Sequence, residues 1–138
     1  MKPVQSRSQK QRGVVLVEFA MVLPLLTFLL MGIFYFGLLL REHQILQNAA
    51  REGARFSIDS KNPPVTAVQA VVTNYLAQEN ITVSASQVTV NKAYPLNLGD
   101  VTVIATQITV SYQRSLPLGT ALFGPVTLKA QAVFRNFY

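Results

Sequence analysis

Glu18 is the residue whose type fits its surroundings least. It is the single charge in residues 14–40, a run of 27 positions otherwise built mainly of Val, Leu, Ile, Phe, Met and small residues. About 20 apolar residues cross a bilayer as a helix, and an acid at the membrane centre costs ~2.5–3.5 kcal/mol on insertion scales. Two chemistries accommodate it. Glu18 follows Gly13 by five positions, about 7 Å at 1.5 Å per residue, which leaves its carboxylate within reach of water or headgroups. Alternatively it meets a cation inside an apolar bundle. Scission of the Gly13–Val14 bond would leave an α-ammonium on Val14, and that ammonium could pair with Glu18 of a neighbouring subunit. Such a pair offsets the burial of both charges and fixes the axial register between subunits. A lone acid in a membrane run is by default a functional feature, and the residues alone leave both chemistries open.

No other constellation in the chain does chemistry. There is one histidine, His43, flanked by Glu42 and Gln44 and too isolated for a His-based metal site. The absence of cysteine removes disulfides, thiolate zinc sites and thiol catalysis. The six acids are scattered, with Asp59 and Asp100 in turn contexts and Glu79 at a helix end. No glycine-rich phosphate loop and no nucleophile elbow occurs. The expectation is a protein that is not an enzyme, with no metal, no cofactor and no small-molecule substrate.

The charge distribution orients the apolar run. Lys2, Arg7, Lys10 and Arg12 precede it and supply +4 of the formal +6; the rest of the chain carries eight Lys/Arg against six Asp/Glu. The basic residues form a short membrane-flanking arm rather than a patterned face, which argues against nucleic acid as a partner. A basic arm of this kind stays in the cytoplasm. The run is about twice the length of a secretory h-region and no A-x-A-like site follows it, so a conventional cleaved signal is disfavoured. The expectation is a single-pass anchor with the N-terminus inside and the remainder outside.

The elements follow from periodicity. Residues 1–13 are polar and basic, and are expected to be a disordered leader. Residues 14–40 read as a transmembrane helix containing Pro24, Gly32 and Gly37. The helical pattern continues through residues 41–58, where Ile45, Leu46, Ala49, Ala50, Gly53, Ala54 and Phe56 fall largely on one face. DSKNPPV (residues 59–65) breaks it. Residues 65–138 read as a head. Thr66 with Gln69 forms a capping-box pattern, and Val68, Val71, Val72, Tyr75 and Leu76 give an amphipathic helix over about 66–78. From Ile81 the period becomes two. SQVTVNK reads as a strand, AYPLNLGD (residues 93–100) as a turn, and DVTVIATQITVSYQ as a strand with Ile104, Ile108, Val110 and Tyr112 on one face. A phase slip at Val103/Ile104 implies a bulge there or a strand covered on both sides. RSLPLGTALFGP reads as a loop. VTLKAQAVFRNF reads as a strand with Val126, Leu128, Ala130, Ala132 and Phe134 inward. The fold class is α+β: a long N-terminal transmembrane helix extending into a small head with one short helix and an antiparallel meander of about three strands.

The basic residues, Gly13, and VVLVEF with Glu at the fifth position and Phe at the sixth resemble the processing site of type IV pilin-like proteins. RGVVLVEFAMVLPLLTFLLMGIFYFG followed by QNAAREGAR resembles more specifically the TadE-like pseudopilins of the tight-adherence (Tad, Flp pilus) system, over residues 12–57. The resemblance implies cleavage after Gly13 by a membrane prepilin peptidase, with Val14 the first mature residue and Glu18 and Phe19 the recognised acid–aromatic pair. It implies a minor component of pilus assembly, and hence a role in adhesion, at the bacterial inner membrane, with a periplasmic head. The implied partners are the bilayer, the peptidase, other pseudopilins and the assembly platform; entry into the fibre itself is left open. In NAAREGAR, Ala49, Ala50, Gly53 and Ala54 either let the helix lie flat on the sheet, with Arg51, Glu52 and Arg55 as a solvated face, or form a subunit contact. The rival readings are an uncleaved anchored envelope protein whose head binds a partner, and a type II secretion pseudopilin.

Overall fold

The structure is a computed structural model that describes residues 7–59, 63–115 and 124–135, with side chains from Gly13 onward. The element order is α1 (Arg7–Asp59), α2 (Val65–Gln78), a short 3-10 turn (Ala85–Gln87), β1 (Val88–Leu98), β2 (Val101–Arg114) and β3 (Val126–Arg135). This is the α+β arrangement that the periodicities imply: a long apolar helix, a short helix and a three-stranded antiparallel sheet in the order β1-β2-β3. The chain divides into two compact units, Met1–Leu40 and Arg41–Tyr138.

The first unit is helix. Helix α1 starts at Arg7 rather than Val14, so part of the expected disordered leader is helical. Its stretch SQKQR consists mostly of good helix formers, and no Gly or Pro falls between Arg7 and Arg12. Pro24 lies inside α1; lacking an N–H, it leaves the carbonyl four residues back without its usual donor. One turn on, Thr27 Oγ1 donates to the Leu23 carbonyl at 2.8 Å. Nearly every large apolar side chain here is exposed, Met21 at 77% and Phe28 at 74% among them. In water that surface would be strongly unfavourable; in lipid it is matched. The helix is long and apolar enough to cross a membrane.

The second unit is built on the outer part of α1. Leu46, Ala49, Ala50 and Ala54 pack into one core with Val68, Val72 and Leu76 of α2, Val88 of β1, Ile108 and Val110 of β2, and Ala130 and Ala132 of β3. Each fully buried Leu or Ile contributes about 1.5–3 kcal/mol. The direction of β2 is set by three contacts: Arg114 meets Glu42, Ile108 lies beside Gly53, and Thr106 meets Ser57. Strand β2 therefore runs antiparallel to the outer part of α1, and β1 and β3 run along it.

Three expectations are corrected. Helix α2 begins at Val65 behind Pro64, and neither Thr66 nor any other side chain caps it. Pro pre-sets the backbone angle at a helix start, while Gln69 Nε2 is drawn off to the Ala85 and Val88 carbonyls at 3.1 and 2.9 Å, pinning α2 to the start of β1. The capping box of the chain is at Ser84 and Gln87 instead. Next, AYPLNLGD is not a turn: β1 continues to Leu98, and only Gly99 and Asp100 turn the chain, with Gly99 at φ +75°. Finally, the bulge lies in β1, where the register shifts between Asn91 and Tyr94, and it is the alternative of a strand covered on both sides that fits β2 just past Ile104, where the adjacent Ala105 and Thr106 are both buried. Ile104 keeps the phase of Ile108, but it is 62% exposed because it lies past Thr106, where the last buried residue of α1, Ser57, meets β2.

Helix α2 ends in a Schellman pattern. Asn80 takes φ +60°, Asn80 N donates to the Ala77 carbonyl at 3.1 Å, and Ile81 N donates to the Leu76 carbonyl at 2.9 Å, with Ile81 buried.

Candidate functional site: the start of the long helix

Gly13, Val14, Glu18 and Phe19 all lie on helix α1 and all are exposed, Val14 at 58% and Phe19 at 61%. A Cβ added at Gly13 would meet nothing within 4 Å. Val14 and Glu18 are four residues apart and so share one helix face, one turn apart, about 6 Å along the axis. No ion pair to Glu18 forms among the described residues. The carboxylate therefore stands on an apolar helix with no cation paired to it among the described residues.

The second cluster of sequence-selected residues sits in the head. Ala49, Ala50, Gly53 and Ala54 are buried inside the chain, against α2 and the sheet. A Cβ on Gly53 would overlap Val72 Cγ2 and sit 3.1 Å from Ile108 Cδ1, so the close approach of helix, helix and sheet needs a residue without one. Arg51, Glu52 and Arg55 point away and are exposed. Arg55 Nε lies 3.6 Å from Asp59 Oδ2 in an i,i+4 pair, both side chains about two-thirds exposed, where such a pair contributes little.

The sequence reading missed one charged pair. Arg114 Nη1 lies 2.9 Å from Glu42 Oε1, with the Glu42 side chain only 13% exposed. Glu42 Oε2 is buried without a hydrogen-bond partner. A hydrogen bond with Tyr112 raises the Arg114 pKa above its ordinary value; desolvation opposes this and the Glu42 charge adds to it. No periodicity could have signalled this pairing, since it joins residues far apart in sequence. His43 is half-buried, and no group of three or more metal-ligating side chains occurs among the described residues.

Among the described residues one helix is long and apolar enough to cross a membrane, which suggests a single-pass membrane anchor. Residues 13–55 match the model of the family described as TadE-like protein, and over this stretch the chain is similar to that family. That likeness suggests a Tad pilus-associated protein. The match spans the lone carboxylate, the apolar run and NAAREGAR, and stops before α2 and the sheet. Comparison with curated proteins and with solved structures gives no match.

Proposed function

We propose that the chain is a minor pseudopilin of a Tad-type pilus, held in the inner membrane with its N-terminus in the cytoplasm and its head in the periplasm. A prepilin peptidase removes residues 1–13, and the mature chain joins other pseudopilins and the assembly platform in building a pilus used for surface attachment. The observation that carries this reading is Glu18, a solitary carboxylate on an exposed apolar helix with no ion-pair partner among the described residues.

Cleavage changes the electrostatics of Glu18 in two ways. Before it, Glu18 lies in the interior of a helix that begins at Arg7. After it, Glu18 lies one turn from a new helix N-terminus, where free N–H groups and the macrodipole favour a carboxylate. The new Val14 ammonium is also a cation that can enter an apolar bundle as the partner of a neighbour's Glu18. Intact mass and N-terminal sequencing of protein from host membranes test this. A chain beginning at Val14 supports it. A chain that keeps Met1 beside an active peptidase overturns it and leaves the uncleaved anchored binder.

A further inference from the structure

The two edges of the sheet are built differently. Strand β1 is guarded along its length. Gln69 Nε2 donates to the Val88 carbonyl at 2.9 Å, and the ladder breaks between Asn91 and Tyr94. Inside that break Ala93 N donates to Asn91 Oδ1 at 3.1 Å, and Lys92 Nζ donates to the Pro63 carbonyl ahead of α2. Pro95, within the strand, has no N–H to offer. Bulges, prolines and lysines are the devices that keep an edge strand from pairing. Strand β3 has neither bulge nor proline. Its register against β2 is unbroken from Val126 opposite Arg114 to Arg135 opposite Ala105. No described strand pairs with its other edge, where alternate residues present both N–H and C=O.

The side chains of β3 define what fits there. Leu128 lies opposite Tyr112 and Phe134 opposite Thr106, so both are on the helix-covered face. Leu128 is half-buried and Phe134 is 39% exposed. Phe134 stays open because it is level with Thr106, where the buried side of α1 ends at Ser57. The other face of β3 carries the two charges of the strand, Lys129 and Arg135, both cationic.

We infer that the free edge of β3 is a docking site for an extended segment of a different protein, which adds to the sheet as a fourth strand. That segment alternates apolar side chains, against Leu128 and Phe134, with carboxylates, beside Lys129 and Arg135. Main-chain hydrogen bonds hold it, and the alternating side chains select it. The same strand turns away a second copy. Strand β2 runs antiparallel to the outer part of α1, so β3 runs along it. Copies anchored in one membrane therefore carry β3 in one direction and cannot pair antiparallel. Parallel pairing in register sets Lys129 beside Lys129 and Arg135 beside Arg135, and like charges on neighbouring strands repel. The inference goes beyond the assembly role proposed above.

The test uses full-length chain in detergent and labelled peptides matched to the 10 residues of β3. One alternates Val with Glu, one alternates Val with Lys, and one holds the Val and Glu in separate blocks. Binding is read by fluorescence anisotropy. The alternating Val/Glu peptide should bind on the order of fivefold tighter than either of the others, and Lys129→Glu should abolish its advantage over the Val/Lys peptide. Its binding should slow amide exchange at alternate residues of 126–135 and leave β1 unchanged. No binding, equal binding of the alternating and blocked peptides, or protection on β1 overturns the inference. Protection of β3 that rises with protein concentration in the absence of peptide assigns the edge to a second copy and overturns it too. A Gly13→Leu chain should bind the peptides equally, so failure here is distinct from failure of the processing reading.

Discussion

Glu42 and Arg114, 72 positions apart in sequence, meet at 2.9 Å two residues past the end of the apolar run. The contact ties the far end of β2 to the first turn of the helix above Leu40, and with it the orientation of the sheet on that helix. Glu42 offers a second oxygen that is buried and unpartnered, so the pair is a constraint with a desolvation cost rather than a simple gain.

Removing one partner should therefore cost more than removing both. Arg114→Ala leaves a largely buried carboxylate uncompensated. With Arg114 itself 38% exposed, the expected loss lies between exposed and buried pairs, about 1–2 kcal/mol. Glu42→Leu with Arg114→Met should recover most of it. A double-mutant cycle by denaturant unfolding in detergent checks this, and additive losses would show that the pair is not coupled. Because the Arg114 pKa is raised, its contribution is complete below the unfolded value and fades only as pH rises through the folded one, far into alkali. Between pH 5 and 9 the guanidinium adds no pH dependence.

Gly53→Ala tests the three-way contact of α1, α2 and β2. An exposed helical Gly→Ala change stabilises by roughly 1 kcal/mol. Here the new methyl overlaps Val72 Cγ2 and crowds Ile108 Cδ1, and overpacking a tight core costs typically ~1–3 kcal/mol. Steric cost should win, giving a net loss of about 1–2 kcal/mol. Gly53→Ala combined with Val72→Ala should regain part of it, and failure to do so would point to another cause.

Gly99→Val tests the β1–β2 hairpin. Gly99 has φ +75° with open space where a Cβ would lie, so the penalty is backbone strain alone, about 1–3 kcal/mol for a non-glycine residue held there. Because the turn lies at the tip of β1–β2, local fraying is expected before global unfolding. Amide exchange should quicken at residues 96–103 while Ile108 and Val110 stay protected.

How much of this was legible in the sequence follows from what each residue answers to. The apolar run and the outer face of α1 repeat at the helical period, and the burial of Leu46, Ala49, Ala50 and Ala54 follows it. The alternation of Ala130 and Ala132 in β3 was equally readable. AYPLNLGD misled because Pro95, Asn97 and Gly99 are turn formers by type. Yet Tyr94, Leu96 and Leu98 alternate toward a two-residue Gly-Asp turn, and Val101 and Val103 answer them, a pattern that marks a hairpin. The phase slip at Val103/Ile104 left a bulge and a two-sided cover both open, because a slip in hydrophobic phase does not say which strand holds an extra residue. Thr66 lost the capping role because Pro64 had already set the helix start and Gln69 found backbone carbonyls elsewhere. At the candidate site, Glu18 was visible from composition alone; the Glu42–Arg114 pair was not, since it exists only once β2 lies antiparallel to α1.

Glu18→Gln separates the two chemistries open to that position. Glutamine keeps the shape and most hydrogen bonding but cannot pair with an ammonium by charge. If the carboxylate only reaches water or headgroups, removing its charge eases insertion, and assembly should be unchanged. If it pairs with the Val14 ammonium of a neighbour, insertion should be normal, while that ammonium is left uncompensated in an apolar bundle, which costs several kcal/mol per site. One such loss per subunit is multiplied along an assembly, so pilus formation should fall at least tenfold while the amount of the chain in membranes holds. Glu18→Asp should recover only part of it, because a carboxylate one methylene shorter must shift the register to reach the same cation. Membrane fractionation beside counts of surface pili reads both quantities in one set of strains. Normal piliation by the Gln variant would assign Glu18 to the interface and remove it from assembly.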